Sequence, residues 1–350
     1  MNVGAVKTRV MIIDDSGVFR GFWGRLLSGL DDIEVVTTAI SGKAAIEALT
    51  YHKVDLVLLD VEMPEMDGLQ TIPHLFAKQP TLKIIMASGL TTSSSRVTID
   101  ALARGAHDFI TKPSTLVSGF SVDQVKDELL QKIRALAVKV VEPKVVESSI
   151  KTALRSDKTA PPKAILIGSS TGGPNALSVV LSKFDSKITI PIFIVQHMPA
   201  NFTTMLAERI AKDSERPCRE AKDGEIVQPK TIYVAPGGFH MLLSKIGDQV
   251  ILNLNEEAPE NFCRPAVDVL FRSASKVYGS ALLGIILTGM GEDGKLGCEY
   301  LKNDGATVIA QDEASSVVWG MPGNVVKAGL ANFSVPLNNI AEKTSEICVK

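Results

Sequence analysis

Short apolar runs alternate with amphipathic ones along most of this 350-residue chain. In the first third, near-continuous runs at residues 10–13, 54–59 and 83–87 predict buried strands, with weaker ones near Val35 and Phe109. Between them, 42–50 and 97–103 carry helical spacing, and 122–138 repeats apolar residues at Val122, Val125, Leu129, Leu130 and Ile133. Strands that are apolar on both faces and separated by helices imply a parallel sheet covered on both sides. From Glu142 to Lys163 the pattern dissolves into a charged, polar stretch ending on Pro161-Pro162, which reads as an interdomain linker with room for a short helix. The pattern then resumes. Strands are predicted at 164–167, 188–195, 231–234, 281–287 and 307–310, with helices at 175–181, 202–212, 267–278 and 296–303. This is a second doubly wound α/β domain, with 241–244 and 250–254 spaced as a β-hairpin.

Length agrees with two domains at roughly 150 residues each. Composition narrows the class further. An apolar fraction of 45% is enough to bury real cores and excludes a wholly disordered chain. Lys+Arg is 37 against Asp+Glu 39, a net charge of -2, so there is no electrostatic reason to expect nucleic acid or an anionic membrane as partner. Cys218, Cys263, Cys298 and Cys348 form no CxxC pair, which argues against a disulfide framework or a thiolate zinc site and fits a reducing compartment. No apolar run approaches the ~18 residues of a membrane span, and the N-terminus has no signal-peptide pattern. The expectation is a soluble, cytoplasmic protein without membrane insertion.

The first domain concentrates polar chemistry at strand ends. Asp14 and Asp15 follow the first strand, Asp60 ends the third, Ser88 follows the fourth, and Lys112-Pro113 follows the fifth. Ligands of an open parallel sheet bind outside the carboxyl ends of its strands, so these groups converge. Acidic residues also end strands and cap helices for purely structural reasons, but five polar residues, three of them acidic, at four strand ends are poorly explained that way. Three converging carboxylates repel unless a cation sits among them, and a hard ion such as Mg²⁺ suits them. Asp60 could then form an aspartyl phosphate, with Lys112 and Ser88 meeting its oxygens. A cis bond before Pro113 would help to aim Lys112.

Ile13-Asp14-Asp15-Ser16, the stretch Leu59-Asp60-Val61-Glu62-Met63-Pro64-Glu65-Met66-Asp67-Gly68, and Lys112-Pro113 together resemble a response-regulator receiver domain, flavodoxin-like in fold, over residues 8–130. The resemblance implies phosphotransfer from a histidine kinase to Asp60. It places Asp14, Asp15, Asp60 and the Glu62 carbonyl on Mg²⁺, and Ser88 and Phe109 at the switch positions. Phe109 stands where some receivers carry a ring hydroxyl, which excludes a hydrogen bond from that side chain.

The second domain opens on Gly168-Ser169-Ser170-Thr171-Gly172-Gly173-Pro174 after its first strand. The glycines permit a tight strand-to-helix turn that exposes Ser170 at the sheet edge, and G-x-S-x-G matches a nucleophile elbow. A plain Gly/Ser loop or a phosphate cradle fits the same residues, but a P-loop does not, because Gly-Lys-Ser/Thr is absent. His197 ends the next strand on the same edge, where a general base belongs, with His240 as its rival. Gly289, Gly291 and Gly294 in Thr288-Gly289-Met290-Gly291-Glu292-Asp293-Gly294 imitate a dinucleotide fingerprint. Glu292 and Asp293 would repel a pyrophosphate there, whereas Asp293 can orient and stabilise an imidazolium whose other nitrogen faces Ser170. The Met290 N–H could serve an oxyanion. The order Ser, His, Asp differs from that of α/β-hydrolases.

Those motifs, with Val195-Gln196-His197-Met198-Pro199, Tyr233-Val234-Ala235-Pro236-Gly237-Gly238 and Arg264-Pro265-Ala266-Val267-Asp268-Val269-Leu270-Phe271, resemble the chemotaxis protein-glutamate methylesterase family, known as CheB. The resemblance implies a receiver at 8–130, a helix end and linker at 131–162, and a Rossmann-like methylesterase domain at 163–350. It implies Ser170, His197 and Asp293 as a catalytic triad, with Thr171 and Met290 on the oxyanion and substrate side, and no cofactor for ester hydrolysis. Glutamate methyl esters on methyl-accepting chemotaxis receptors would be hydrolysed to glutamate and methanol, with receptor glutamines deamidated by many members. A chemotaxis histidine kinase is the implied phosphodonor, and phosphorylation is expected to reposition the receiver and activate the esterase. Two residues depart from the family pattern: Ser169 adds a hydroxyl beside the nucleophile, and Glu292 adds a charge next to Asp293. The rival readings are a second domain that binds a nucleotide through residues 289–294, and a transcription regulator, disfavoured by the lack of a helix-turn-helix or basic patch.

Overall fold

The computed structural model describes residues 7–113, 121–137 and 161–349, and the chain divides into two compact units, Met1–Lys139 and Val140–Lys350. In the first unit, β1 (Thr8–Ile13), β2 (Ile33–Ala39), β3 (Leu56–Asp60), β4 (Lys83–Ser88) and β5 (Asp108–Thr111) form a parallel sheet in the order β2-β1-β3-β4-β5. This is the flavodoxin-like order, whose switch point lies between β1 and β3. β3 is buried at every position, which is why it reads as an unbroken apolar run.

Five helices alternate with these strands: α1 (Gly17–Leu26), α2 (Gly42–Ala48), α3 (Gly68–Lys78), α4 (Thr92–Ala103) and α5 (Val122–Ala137). The hydrophobic pattern does not single out α1 or α3. Gly17, Gly21 and Gly24 thin the stripe of α1, and α3 carries Pro73 in its interior. α3 is nucleated instead by a capping box, in which Asp67 accepts from the Gln70 N–H at 2.7 Å and Gln70 accepts from the Asp67 N–H at 3.2 Å. The expected end of α5 at Val138 and most of the expected linker, residues 138–160, lie outside the described residues.

The second unit holds β6 (Ala164–Ser169), β7 (Ile192–Gln196), β8 (Cys218–Glu220), β9 (Ile232–Val234), β10 (His240–Ile246), β11 (Gln249–Asn255), β12 (Leu282–Ile286), β13 (Thr307–Gln311) and β14 (Phe333–Val335). Seven of them form an all-parallel sheet, β14-β13-β12-β6-β7-β9-β8, while β10 and β11 pair antiparallel as the expected hairpin. The first strand, β6, is central, and the sheet grows outward from it in both directions, which places the switch point there. The run 188–195 yields strand only from Ile192, because Pro191 has no N–H to give a ladder. The helices are α6 (Gly173–Leu181), α7 (Phe202–Ser214), α8 (Val267–Tyr278), α9 (Lys295–Asn303), α10 (Met321–Lys327) and α11 (Ile340–Cys348). The core beneath the site packs Leu166, Phe193, Tyr233 and Phe271, with the Phe193 and Tyr233 rings stacked at 5.6 Å. Among the described residues no helix is long and apolar enough to cross a membrane.

Candidate active site

Three neighbouring strands, β12, β6 and β7, end on one edge of the second sheet. Ser169 pairs with Gln196 in the β6/β7 register, so Ser170 and His197 leave the sheet side by side on strands about 4.8 Å apart. The Ser170 N–H donates to the Thr288 carbonyl at 3.1 Å, tying the first turn to the end of β12. Gly289 lets the turns touch, because a Cβ there would stand 2.3 Å from the Met321 sulfur and 2.9 Å from Ser170 Cβ. Gly172 takes φ +76, a left-handed conformation that suits glycine at the start of α6.

His197 and Asp293 meet on this edge, with Nε2 of the ring 2.7 Å from Oδ2 and both side chains largely buried. Asp293 is fully engaged. Its Oδ2 also accepts from the Val267 N–H at 2.6 Å, and its Oδ1 accepts from the N–H groups of Asp268 and Gly294, each at 3.0 Å. Burial opposes ionisation of Asp293, but His197 and these backbone donors outweigh it and hold the carboxyl below its ordinary range. Burial alone would likewise push the His197 imidazole down. The Cys263 sulfur and the Asp293 carboxylate overcome that and raise it to about 10.

Cys263 is the correction to the expected geometry. Among the described residues no hydrogen bond joins the Ser170 hydroxyl to His197, and the ring's second neighbour is the Cys263 thiol. The thiol arrives on a turn that the sequence pattern does not reveal, closed by Cys263 N–H to Glu260 O at 2.8 Å and Glu260 N–H to Cys263 O at 3.2 Å. Asn261 and Phe262 take positive φ in that turn.

Ser169 also differs from expectation. It does not lie beside Ser170 as a second free hydroxyl. It is fully buried and donates to Gln196 Oε1 at 2.7 Å. This orients the amide so that Gln196 Nε2 donates to the carbonyls of Ser170 at 3.0 Å and His197 at 3.3 Å, clamping both turns. Glu292 points outward, 62% exposed and 3.6 Å from Lys295. His240, the rival base, is buried in a structural role, with Nε2 3.1 Å from the Ala258 carbonyl and Nδ1 accepting from the Ala266 N–H at 3.3 Å. Thr171 is buried and its carbonyl accepts from the Thr288 hydroxyl at 3.0 Å. The Gly289 N–H is bound to Val318 O, while no protein acceptor takes the Met290 N–H among the described residues. The nucleotide reading of residues 289–294 loses its anion site, because the carboxylate of Asp268 already accepts from Gly294 and Gly297 at the start of α9.

In the first unit, ligand atoms of Asp14, Asp15 and Asp60 lie within 4.8 Å of one another at the β1/β3 edge. Lys112 Nζ bridges Asp14 at 2.8 Å and Asp60 at 2.7 Å. Burial raises the Asp60 carboxyl to about 6, with the Asp14 charge adding to it and Lys112 opposing. Glu62 lies two residues past the end of β3, and its side chain accepts from Ser94 at 2.6 Å. Ser88 is buried, with its hydroxyl accepting from Thr98 at 2.7 Å. Phe109 is buried and lies under Lys132 Nζ, 5.1 Å from the ring centroid. The bond before Pro113 is not cis; among the described residues the cis bond precedes Pro265. Lys112 is aimed instead by its two carboxylate partners and by its N–H, which donates to Ser88 O at 2.7 Å.

A phosphoacceptor-type pocket on one unit and a hydroxyl, imidazole and carboxylate on one rim of the other define the class: a response regulator with a hydrolytic effector domain. The comparisons agree. The family model described as CheB methylesterase matches residues 165–344, and that of the response regulator receiver domain matches residues 10–118. A protein-glutamate methylesterase/protein-glutamine glutaminase of Azospirillum brasilense is 44% identical, aligned over 96% of this chain and 92% of its own length. A protein of the same description from Trichodesmium erythraeum is 43% identical, covering 96% of this chain and 98% of its own. The crystal structure of the Thermotoga maritima CheB methylesterase catalytic domain superposes with a TM-score of 0.52 and 42% identity, covering 53% of this chain and 99% of that one. The chain belongs to the CheB methylesterase family.

Residues the sequence reading did not single out complete the site: Asn261, Cys263, Asp268 and Gln196. Asp268 and Gln196 stand inside quoted motifs, but nothing in their spacing says what they touch.

Proposed function

We propose that the chain is a protein-glutamate methylesterase, also acting as a protein-glutamine glutaminase, whose receiver controls it by phosphorylation. The organisation is a receiver at 8–130, a helix end and linker at 131–162 and the hydrolytic domain at 163–350. The Ser170 hydroxyl attacks the ester carbonyl while the deprotonated form of His197 takes its proton, and Asp293 stabilises the imidazolium that results. The Met290 N–H, on the substrate side with Thr171, donates to the developing oxyanion. His197 then returns the proton to the departing methoxide, releasing methanol. Water, deprotonated by the same imidazole, cleaves the acyl-serine to glutamate. With a glutamine substrate the leaving group is ammonia. The observation that carries this reading is the 2.7 Å contact of His197 with a fully engaged Asp293, beside the turn that bears Ser170.

Asp60 is the phosphoacceptor, Lys112 meets a phosphoryl oxygen, and Ser88 meets another once it leaves Thr98. Asp14, Asp15, Asp60 and the Glu62 carbonyl would hold Mg²⁺, and three carboxylates within 4.8 Å of one another, two buried and Asp15 open to solvent, fit a hard cation that keeps some of its water. When bound, the ion neutralises charge between Asp60 and the incoming phosphoryl group. Phe109, lacking a hydroxyl, reports the switch through packing under Lys132. The partners are methyl-accepting chemoreceptors and a chemotaxis histidine kinase, in the cytoplasm.

The test is methanol release from a methylated receptor, with and without a phosphodonor. Ser170→Ala abolishes release, and Asp60→Asn keeps basal release but loses the response to phosphodonor. If Ser169→Ala abolishes release and Ser170→Ala does not, the nucleophile is wrongly assigned.

A further inference from the structure

We infer that Asp268 is a positioning residue for the Asp293–His197 pair, acting through an exchange of helix caps. The inference rests on the reading of Ser170, His197 and Asp293 given above. Neither α8 nor α9 caps itself: the N-cap residues are Ala266 and Gly294, and neither makes a side-chain cap bond. Each helix start is capped by a carboxylate carried at the start of the other. Asp293, just before α9, accepts from the Val267 and Asp268 N–H groups of α8 at 2.6 and 3.0 Å. Asp268, in the first turn of α8, accepts through one oxygen from the Gly294 N–H at 2.9 Å and the Gly297 N–H at 2.6 Å. Orphan donors at both helix starts are thereby satisfied, and each carboxylate lies in the positive end of a helix dipole.

A third connection locks the pair. Asn261 Nδ2 donates to Asp268 Oδ2 at 2.9 Å and to Asp293 Oδ1 at 3.2 Å. Asp293 therefore cannot rotate away from His197 without breaking the cap of α8, and its loop cannot shift without pulling Gly294 from Asp268. Asp268 does not touch the imidazole. It fixes the loop and the amide that fix the carboxylate that does.

Electrostatics gives this residue a signature. Burial first, and then the Asp293 charge, push the Asp268 carboxyl up to about 7, while Asp293 is held low. Of two close carboxylates, Asp268 is thus the one that yields its charge. The groups facing it are Asp293, the buried Cys298 thiol and Arg272, which is held by Glu260 at 2.5 Å. A cavity of about 390 Å³ adds Glu292, Lys295 and Glu299. His197 faces Asp293 and Cys263.

Asp268→Asn keeps the shape but turns an amide N–H toward Asn261 Nδ2, donor against donor. Asn261 must rotate, and Asp293 loses that bond. In the full-length protein, methanol release should show kcat reduced by about tenfold or more, with KM within about twofold of wild type. The acidic limb of kcat/KM should move to lower pH: Asp268 carries its charge above about 7, where the imidazole raised to about 10 titrates, and the asparagine removes that charge. A purely structural cap would lower stability and leave both readouts alone. Asn261→Gly suits φ +51 at an exposed position and guards against a folding failure of the first variant. It should lower kcat in the same way, by less, and leave the limb near that of the wild type, because it removes no charge. Wild-type kcat in both folded variants, with an unmoved limb in Asp268→Asn, would overturn the inference. Ser170→Ala is run alongside: if it stays active, the underlying reading fails independently of this one.

Discussion

Removing one buried hydroxyl, in Ser169→Ala, tests how the site is held together. Ser169 is fully buried and its hydroxyl donates to Gln196 Oε1 at 2.7 Å. Deletion leaves that oxygen without a donor in a buried site, at a cost of about 1–3 kcal/mol. The amide cannot recover by flipping, because the flip would set Oε1 against the carbonyls of Ser170 and His197, which Nε2 now serves at 3.0 and 3.3 Å. Gly173 packs closely on the same oxygen, since a Cβ there would lie 2.0 Å from Oε1. For a unit of this size, each kcal/mol lowers the midpoint by about 2–4 °C, so a loss near 2 kcal/mol gives about 4–8 °C. Calorimetry on the full-length protein should show the transition of the second unit moving by this amount while the receiver transition stays put. Methanol release should fall by less than about tenfold, because the clamp on both turns survives. Replacing Gln196 by Met removes the clamp itself and should lower release far more than Ser169→Ala does. A midpoint unchanged in Ser169→Ala, or a loss of activity equal to that of Gln196→Met, would refute this account of the clamp.

Three further outcomes follow from other groups. Cys263→Ala removes one influence that raises the His197 imidazole, so the base becomes available at lower pH and the acidic limb of kcat/KM for ester hydrolysis moves down; an upward move would contradict the sign. Asp60, at about 6 against an ordinary 3.8, is destabilising when ionised in the fold by about 3 kcal/mol at 1.36 kcal/mol per unit. That penalty is absent below pH 3.8 and complete above about 6, so Asp60→Asn should stabilise the receiver transition at pH 8, by up to about 3 kcal/mol, and not near pH 4. Mg²⁺ should narrow the pH 8 difference by stabilising the wild type, and equal shifts at both pH values would sink the argument. Gly68→Ala places a Cβ 2.2 Å from the Asp60 carbonyl oxygen, a backbone atom that cannot step aside. Phosphorylation of Asp60 by a small phosphodonor should slow by about tenfold or more, and an unchanged rate would show that the turn yields.

Much of the architecture was legible in the order of residues. Buried parallel strands advertise themselves because both faces are apolar, as β3 and β6 are, and the chemistry at their carboxyl ends follows from the topology rule. That logic brought Asp14, Asp15, Asp60 and Lys112 to one edge, and His197 and Asp293 to another. It did not find α3, whose Pro73 reads as a breaker, nor a strand start delayed by Pro191.

Periodicity and turn residues act over a few neighbours along the backbone, so they determine strands, helices and the edge on which each loop ends. They carry no information about contacts between loops far apart in sequence. Packing alone decided that Cys263 reaches His197, that Ser169 turns inward to Gln196, and that Asp268 and Asn261 hold Asp293. The helices α8 and α9 lack caps of their own, and only their approach in three dimensions lets each supply the other's. A hydrogen bond needs its partners within about 3 Å, and chain order does not set that distance between residues so far apart.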